Sequence, residues 1–182
     1  MQYMLSERSS IGYRFHVDQT SSDMLTAKGK YALKALIYLS TLEPGEKAQG
    51  LAISKAGNIP KKFLDAILGE LREAGVVYTK KGPGGGYMLA RAASDIKIGH
   101  VVRAIDGPLA PISCASRSAY EPCADCKSVK ACAVRFTMMK VRDAVSDVLD
   151  RMTIADMVAA SEGGNVTPMF TGRSAAPGRK RR

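Results

Sequence analysis

Residues 59–89, IPKKFLDAILGELREAGVVYTKKGPGGGYML, constrain the fold more than any other part of the chain. Apolar residues recur in the first half at steps of about three to four, which predicts a helix with one buried face. That face comprises Ile59, Phe63, Leu64, Ile67, Leu68 and Leu71. Pro60 suits the first position of the helix, and Gly75 suits the left-handed residue that ends it. The opposite face is polar and carries Lys61 and Lys62 near its N-terminal end.

Two short strands are predicted after this helix. Residues 76–79 favour a β-strand, and residues 87–89 can return beside them as its partner. The turn between them is basic and rich in glycine, so its backbone can approach a phosphate surface closely. It lacks the Lys-Ser or Lys-Thr pair of a nucleotide-binding P-loop. We therefore predict a β-hairpin that acts as a wing beside the helix.

The preceding segment completes a helix-turn-helix. Thr26 can cap a helix that runs to about Leu42, and a second helix is expected at 49–56. Gly57 and Asn58 then form the turn before the third helix. The alternative interpretation is a three-helix packing unit without a DNA function.

Charge favours DNA as the partner. Residues 24–93, which we call the reading head, hold eleven Lys or Arg against five Asp or Glu, and the whole chain has a formal net charge of +10. We expect the polar face of the 60–74 helix to enter the major groove of double-stranded DNA. The candidate DNA-contacting residues are Lys28, Lys61, Lys62, Lys80, Lys81, Gly84, Gly85 and Tyr87.

All four cysteines lie in or directly beside one irregular segment. A connecting helix is expected at 94–106, starting at Ser94 or Asp95, and an effector loop at 107–132 follows it. The cysteines are Cys114, Cys123, Cys126 and Cys132, in the pattern C-x8-C-x2-C-x5-C. This spacing suits a zinc ion or an iron–sulfur cluster and does not choose between them, and free thiols are the third possibility.

A heptad pattern follows the loop, in residues 133–162. Its apolar positions are separated by 4, 3, 4, 3 and 4 residues, which predicts a long helix with one apolar seam. The seam comprises Val134, Met138, Val141, Val145, Val148 and Met152. We expect it to pair with the same helix of a second subunit; packing against its own domain is the alternative. Thr153 and Asp156 form a capping box for a short terminal helix.

The two ends of the chain show no sustained period. Residues 1–23 are expected to be a disordered extension, and residues 163–182 a disordered basic tail. The sequence contains neither a run of about 20 apolar residues nor a cleavable signal pattern, so we expect a cytoplasmic protein without membrane contact. Catalytic motifs are also missing, which argues against an enzyme.

The sequence resembles the Rrf-two family of bacterial winged helix-turn-helix regulators. The similar segments are LTAKGKYALKALIYL at 25–39, residues 59–91, IGHVVRAIDGPL at 98–109 and TIADM at 153–157. The resemblance implies a mainly α fold with a small β-hairpin wing and a long C-terminal dimerisation helix. It also implies a homodimeric transcription factor, usually a repressor, which in many members holds an iron–sulfur cluster through three loop cysteines.

The resemblance carries over to the cysteine segment with departures. Cys126 and Cys132 match the last two family cysteines, but Tyr120 stands where a first cysteine is expected. Arg135 and Lys30 stand where other members use a histidine or carboxylate ligand. We therefore predict that all four cysteines ligate the cluster, of the 2Fe-2S or 4Fe-4S type.

These expectations combine into one functional hypothesis: a dimer that binds a near-palindromic promoter site and whose affinity is controlled by the cluster. A first alternative keeps the DNA function and replaces the cluster by zinc, a thiol switch or a metabolite signal. A second alternative is a small iron–sulfur electron carrier, which would show no salt-dependent binding to duplex DNA.

Overall fold

The computed structural model describes residues 25–126 and 128–162, so the expected extension at 1–23 and tail at 163–182 lie outside the described residues. The described chain is mainly helical with one two-stranded antiparallel hairpin, as the sequence predicted. The elements are α1 Ala27–Ser40, α2 Gly50–Gly57, α3 Lys61–Glu73, β1 Val77–Lys80, β2 Gly86–Leu89, α4 Ile98–Asp106, α5 Ala133–Arg151 and α6 Ile154–Glu162.

The predicted ends of the first three helices are present. The Thr26 hydroxyl caps α1 by accepting from the Gly29 amide at 3.2 Å. Asn58, with φ of 49°, ends α2 in the left-handed region, and Gly75, with φ of 68°, follows α3 in the same region. Pro60 is the residue before α3 rather than its first helical residue. The turn between α2 and α3 is therefore short and sharply defined.

One hydrophobic core joins the reading head to the C-terminal helices. Helix α1 lies at its centre and packs against α2, α3, α4 and α6. The fully buried side chains include Leu36, Ile53, Leu64, Ile67, Leu68, Leu71, Ile96, Val101 and Ile154. Because α3 fills this core with its apolar face, the opposite face is fixed toward solvent.

The wing is tied to the turn before α2. Tyr87 of β2 exchanges two backbone hydrogen bonds with Ala48, at 2.8 and 2.9 Å, so Ala48 adds a third short strand segment. A Cβ atom on Gly86 would lie 2.7 Å from the Ala48 carbonyl oxygen. This close backbone approach explains one glycine of the run. This bridge has no signal in the sequence, because the residues around Ala48 show no alternation of apolar and polar side chains.

Helix α4 begins at Ile98, and the predicted start at Ser94 or Asp95 was wrong. Residues Ala93–Asp95 form one 3₁₀ turn instead. Ile96 then adopts an extended backbone, and its carbonyl accepts from the Ile154 amide at 3.0 Å. The Ile98 amide donates to the Met152 carbonyl at 3.0 Å. This pairing with the end of α5 uses the backbone groups that an earlier helix start would need.

The two C-terminal helices meet at a capping box. The Thr153 amide donates to Asp156 Oδ2 at 2.8 Å, and the Asp156 amide donates to Thr153 Oγ1 at 3.1 Å, as predicted.

An ion pair holds α5 to α4. Arg103 donates to both carboxylate oxygens of Asp150 at 2.6 and 2.8 Å. A side chain on Gly99 would overlap this carboxylate.

Candidate nucleic-acid interface and cysteine site

The five candidate DNA-contacting lysines fall into two groups, those that are exposed and one that is half-buried. Lys62, Lys80 and Lys81 are exposed. Lys61 is exposed and ion-paired with Asp65 one turn along α3. Lys28 is half-buried and forms an ion pair with Glu70 of α3 at 2.7 Å. The exposed lysines are available to a polyanion. Lys28 would first have to release Glu70, an ion pair that has no signal in the sequence.

Lys61 lies where three elements meet. A Cβ atom on Gly50, the first residue of α2, would lie 3.4 Å from Lys61 Nζ and 3.7 Å from the Tyr87 ring. The first turn of α2 contains no acidic residue, and the Gln49 side chain does not cap it. A helix N-terminus, a lysine and a wing tyrosine thus share one surface, which is electrostatically suited to a phosphate.

The tip of the wing carries its predicted basic and glycine residues. Gly84, with φ of 70°, is exposed in the turn, and Gly85 lies against the Lys80 carbonyl so closely that a side chain would overlap it. The turn can therefore present backbone and lysine ammonium groups together.

Phe63 does not lie on the buried face of α3, and that part of the prediction was wrong. Its side chain is 60% exposed, whereas Leu64, Ile67, Leu68 and Leu71 are fully buried. Residue 63 falls at the edge of the apolar arc, where a step of three to four from Ile59 or Ile67 does not decide the orientation. The ring consequently lies on the surface of α3.

The cysteine segment brings the four thiols together in a chain of neighbours. Cys126 donates its thiol hydrogen to the Cys132 sulfur at 3.9 Å. The Cys123 and Cys126 sulfurs lie within 4.8 Å of each other, and Cys114 is near enough to Cys123 for that thiol to raise its pKa. Asp125 is a further nearby ligand type that the sequence analysis did not select, since one ligand atom from each of Cys123, Asp125 and Cys126 falls within 4.8 Å of the others. Cys114 is buried and the other three are half-buried.

Cys132 is the N-cap of α5. Its sulfur accepts from the Arg135 amide at 3.4 Å, and this hydrogen bond lowers the pKa of Cys132. The thiolate lies at the positive end of the helix dipole, which stabilises it. The hydrogen bond to Cys132 raises the pKa of Cys126 to about 12, and the neighbouring Cys123 thiol raises the pKa of Cys114.

Two arginines of α5 fix the cysteine segment, and the sequence analysis missed this role for both. Arg135 Nε donates to the Cys114 carbonyl at 2.8 Å. Arg142 is 7% exposed and donates to the Ala115 carbonyl through Nη1. Asp143 balances the Arg142 charge at 2.6 Å and also binds Arg117 at 2.9 Å. An arginine directly beside the seam residue Val141 was the available sequence signal, and its burial is visible only in the structure.

Two of the three positions that depart from the family pattern, Tyr120 and Arg135, are in contact. The Arg135 guanidinium lies over the Tyr120 ring, 5.8 Å from its centroid. This distance falls within the range of a cation–π interaction. Arg135 therefore contacts both Tyr120 and the Cys114 carbonyl.

The seam of α5 divides along its length. Val134 and Val141 are exposed by 63% and 40%. Val145 and Met152 pack against the core of their own chain. The N-terminal half of the seam thus presents apolar surface. The C-terminal half packs against its own domain, which was the alternative to pairing with a second subunit.

Comparison with known proteins identifies the family. The Rrf2 (Rrf-two) family, described as iron-dependent transcriptional regulators, matches residues 25–160. An rrf2-like HTH-type transcriptional regulator of Rhodobacter capsulatus is 44% identical over 140 residues, which cover 75% of this chain and 93% of that protein. The chain belongs to the Rrf2 family.

Solved structures support the same fold. The structure of CymR, the global cysteine regulator of Bacillus subtilis, is similar with a TM-score of 0.59 and 28% identity, covering 74% of this chain and 95% of that one. The structure of T. potens IscR gives a TM-score of 0.60 and 25% identity, covering 76% of this chain and 88% of that one. This Rrf2 protein is thus similar to DNA-binding transcriptional regulators rather than to enzymes. No described helix is long and apolar enough to cross a membrane.

Proposed function

We propose that this Rrf2 protein is a homodimeric repressor that binds a near-palindromic promoter site and that an iron–sulfur cluster, held by its four cysteines, controls the affinity for DNA. The observation that carries the proposal is the position of Cys132. This residue is a candidate ligand and at the same time the N-cap of α5. A change at the cysteine site therefore acts directly on the start of the proposed dimerisation helix.

The reading head supports the DNA part of the proposal. Exposed Lys62, Lys80 and Lys81 flank the outward face of α3 and the tip of the wing. Such lysines neutralise phosphates and release counterions, which makes binding strongly dependent on salt. Lys61, Gly84, Gly85 and Tyr87 complete the contacted surface in this proposal, and Lys28 joins it by exchanging Glu70 for a phosphate.

The donor set supports a soft metal centre. Four thiols are present at the site, and a thiolate is the ligand that zinc and iron–sulfur iron share. The neighbouring Cys123 thiol and burial raise the pKa of Cys114, and the Arg135 guanidinium opposes part of that rise. Cys114, Cys123, Cys126 and Cys132 would hold the group, which would supply a centre that iron, oxidants or nitric oxide can alter.

The side chains around the site provide the coupling. Cys114 lies in a 3₁₀ turn, and Arg135 and Arg142 of α5 donate hydrogen bonds to two carbonyls of that turn. With Cys114 and Cys132 both engaged, the loop is fixed against the first three turns of α5. Release of either thiol leaves the arginine contacts as the remaining attachment. The exposed seam residues on the same turns set the spacing of two reading heads in this dimer.

Zinc is the second candidate, and one distance favours it. Two thiolates on one tetrahedral zinc, each at about 2.3 Å from the metal, lie about 3.8 Å apart. The Cys126 and Cys132 sulfurs are separated by 3.9 Å. A 4Fe-4S cluster binds each cysteine to a different iron atom and needs wider spacing, so this distance favours zinc over that cluster type. A 2Fe-2S cluster places two thiolates on each iron and is compatible with the same spacing. A thiol switch between Cys126 and Cys132 is the alternative to zinc that needs no metal.

Purification without air, followed by absorption spectroscopy and iron, sulfide and zinc analysis, tests the metal. A coloured protein with iron and sulfide is expected, and a colourless protein with stoichiometric zinc would leave only the second candidate.

DNA titrations at several salt concentrations test the DNA-binding part of the proposal. Lys62→Ala should weaken binding and reduce the salt slope by about one unit while the dimer stays intact. Unchanged affinity in Lys61→Ala and Lys62→Ala would place the reading surface elsewhere.

A further inference from the structure

Phe63 is an exposed aromatic ring on a helix that otherwise separates polar and apolar residues. Its side chain is 60% exposed, although fully buried leucine follows it at position 64. Ala66, one turn further along α3, is also exposed. Residues three apart are neighbours on a helix surface, so the two form one small apolar patch. No contact within the described core accounts for the ring.

The polar residues around this patch are partly engaged elsewhere. Lys61 is ion-paired with Asp65, and Glu70 with Lys28. Arginine, asparagine and glutamine are missing from residues 61–68, so Lys61, Lys62 and Asp65 are the side chains there that can hydrogen bond to a base edge. Lys62 is the one exposed cation in this stretch without an ion pair in the described residues. Hydrogen bonding therefore offers the first two turns of α3 little means of discriminating bases.

We propose that Phe63, assisted by Ala66, reads the C5-methyl group of thymine in the major groove. The inference rests on the proposed DNA-binding function and names the base that α3 selects. The thymine methyl is the apolar group on the major-groove edge of a base pair, and phenylalanine and alanine are suited to contact it. The neighbouring lysines hold the phosphates on either side, which brings the helix close enough for contact. Water leaves both apolar surfaces when they meet, and this gain is confined to sequences with thymine at the contacted position.

Deoxyuridine, which lacks only that methyl, provides the test. A randomised duplex library is enriched on the wild-type protein at fixed salt. The best duplex is then rebuilt with deoxyuridine in place of every thymine of one half-site. Binding of both duplexes is measured by fluorescence anisotropy for the wild type, Phe63→Ala, Phe63→Gln and Phe136→Ala. The last variant is the matched control, because it removes a phenyl ring of equal exposure, 63%, from α5.

The wild type and Phe136→Ala should bind the deoxyuridine duplex about fourfold more weakly for each methyl contacted, the factor expected for burial of a methyl-sized group. Phe63→Ala and Phe63→Gln should lose most of this difference between the two duplexes and keep the wild-type melting temperature and salt slope; Ala66 accounts for the small difference that remains. Equal binding of both duplexes by the wild type would overturn the inference and leave DNA binding intact. Undiminished sensitivity in both Phe63 variants would overturn it too. If the wild-type protein enriches no duplex from the library, both the proposed DNA-binding function and this inference are contradicted.

Discussion

Arg135 of α5 donates a hydrogen bond from Nε to the backbone carbonyl of Cys114, 21 residues earlier in the chain, at 2.8 Å. The same guanidinium lies over the Tyr120 ring. One side chain thus joins the start of α5 to two parts of the cysteine segment. Loop order and helix position are linked through it.

Loss of this link should expose Cys114. A hydrogen bond from a charged donor contributes about 1.5 kcal/mol or more, so Arg135→Met should increase local opening about tenfold. Iodoacetamide labelling of the reduced, metal-free protein, followed by mass spectrometry, measures the rate at Cys114. Arg117→Met is the control, because Arg117 is 75% exposed in its side chain and contacts Asp143 rather than the cysteine turn. Equal labelling rates in the wild type and Arg135→Met would contradict the role of Arg135.

Gly29 is required by the contact between the beginning of α1 and the end of α4. Asp106 accepts from the Thr26 amide at 3.0 Å and from its hydroxyl at 2.6 Å, and a side chain on Gly29 would overlap the Asp106 carboxylate. Gly29→Ala should therefore destabilise the fold by about 1 to 3 kcal/mol. Gly69→Ala, in the interior of α3 with open space around it, should stabilise by about 0.5 to 1 kcal/mol. Urea unfolding compares the two; equal effects would refute the packing argument.

The Arg103 and Asp150 pair should make stability depend on pH. Hydrogen bonds from Arg103 hold the pKa of Asp150 below its ordinary value. The folded-state pKa is below the unfolded value of about 3.9, so the contribution is present above that value and is lost as the pH falls through the folded pKa. Both side chains are more than one third exposed, which limits the effect to about 1 kcal/mol or less.

Asp150→Asn tests this pair. The variant should be less stable than the wild type at pH 7, and the two should converge when the pH falls below the folded pKa. In an Arg103→Gln background the same substitution should have no effect at either pH. Urea unfolding of all four proteins completes the cycle. A constant difference between Asp150→Asn and wild type down to pH 2 would exclude the ion pair as its cause.

The exposed part of the seam should control the oligomeric state. Val141 is 40% exposed, so glutamate can replace it without entering the described core. Val141→Glu should place like charges across a two-fold seam and convert dimers to monomers, with little change in the helical circular dichroism signal. Sedimentation at several concentrations measures this. A Val141→Glu protein that remains dimeric would move the interface away from the seam.

Local sequence signals predicted much of the reading head. Thr26, Gly75 and the Thr153 and Asp156 box act within one helical turn of themselves, so their roles can be read from short patterns. The Phe63 orientation could not be predicted, because an arc of apolar residues does not define its own edge. The contact between Asp106 and Thr26 joins residues 80 positions apart and has no local signature.

The cysteine site was predictable in composition and not in geometry. The four cysteines were recognisable from their spacing. The pairing of Cys126 with Cys132, the proximity of Asp125 and the arginine contacts depend on how an irregular segment packs against α5. Neither periodicity nor a turn signal constrains such a segment. The position of Arg142 beside an apolar heptad residue was visible in the sequence, but its burial was not.

The most direct test of the central claim compares the DNA affinity of the protein with and without its metal centre. The protein is purified without air, and half is converted to the apo form with a chelator and reductant. Both halves are titrated with the enriched duplex at the same salt concentration. A difference of about fivefold or more is expected, as for an allosteric coupling of about 1 kcal/mol or above. Identical affinities for the two forms would contradict control of DNA binding by the cysteine site.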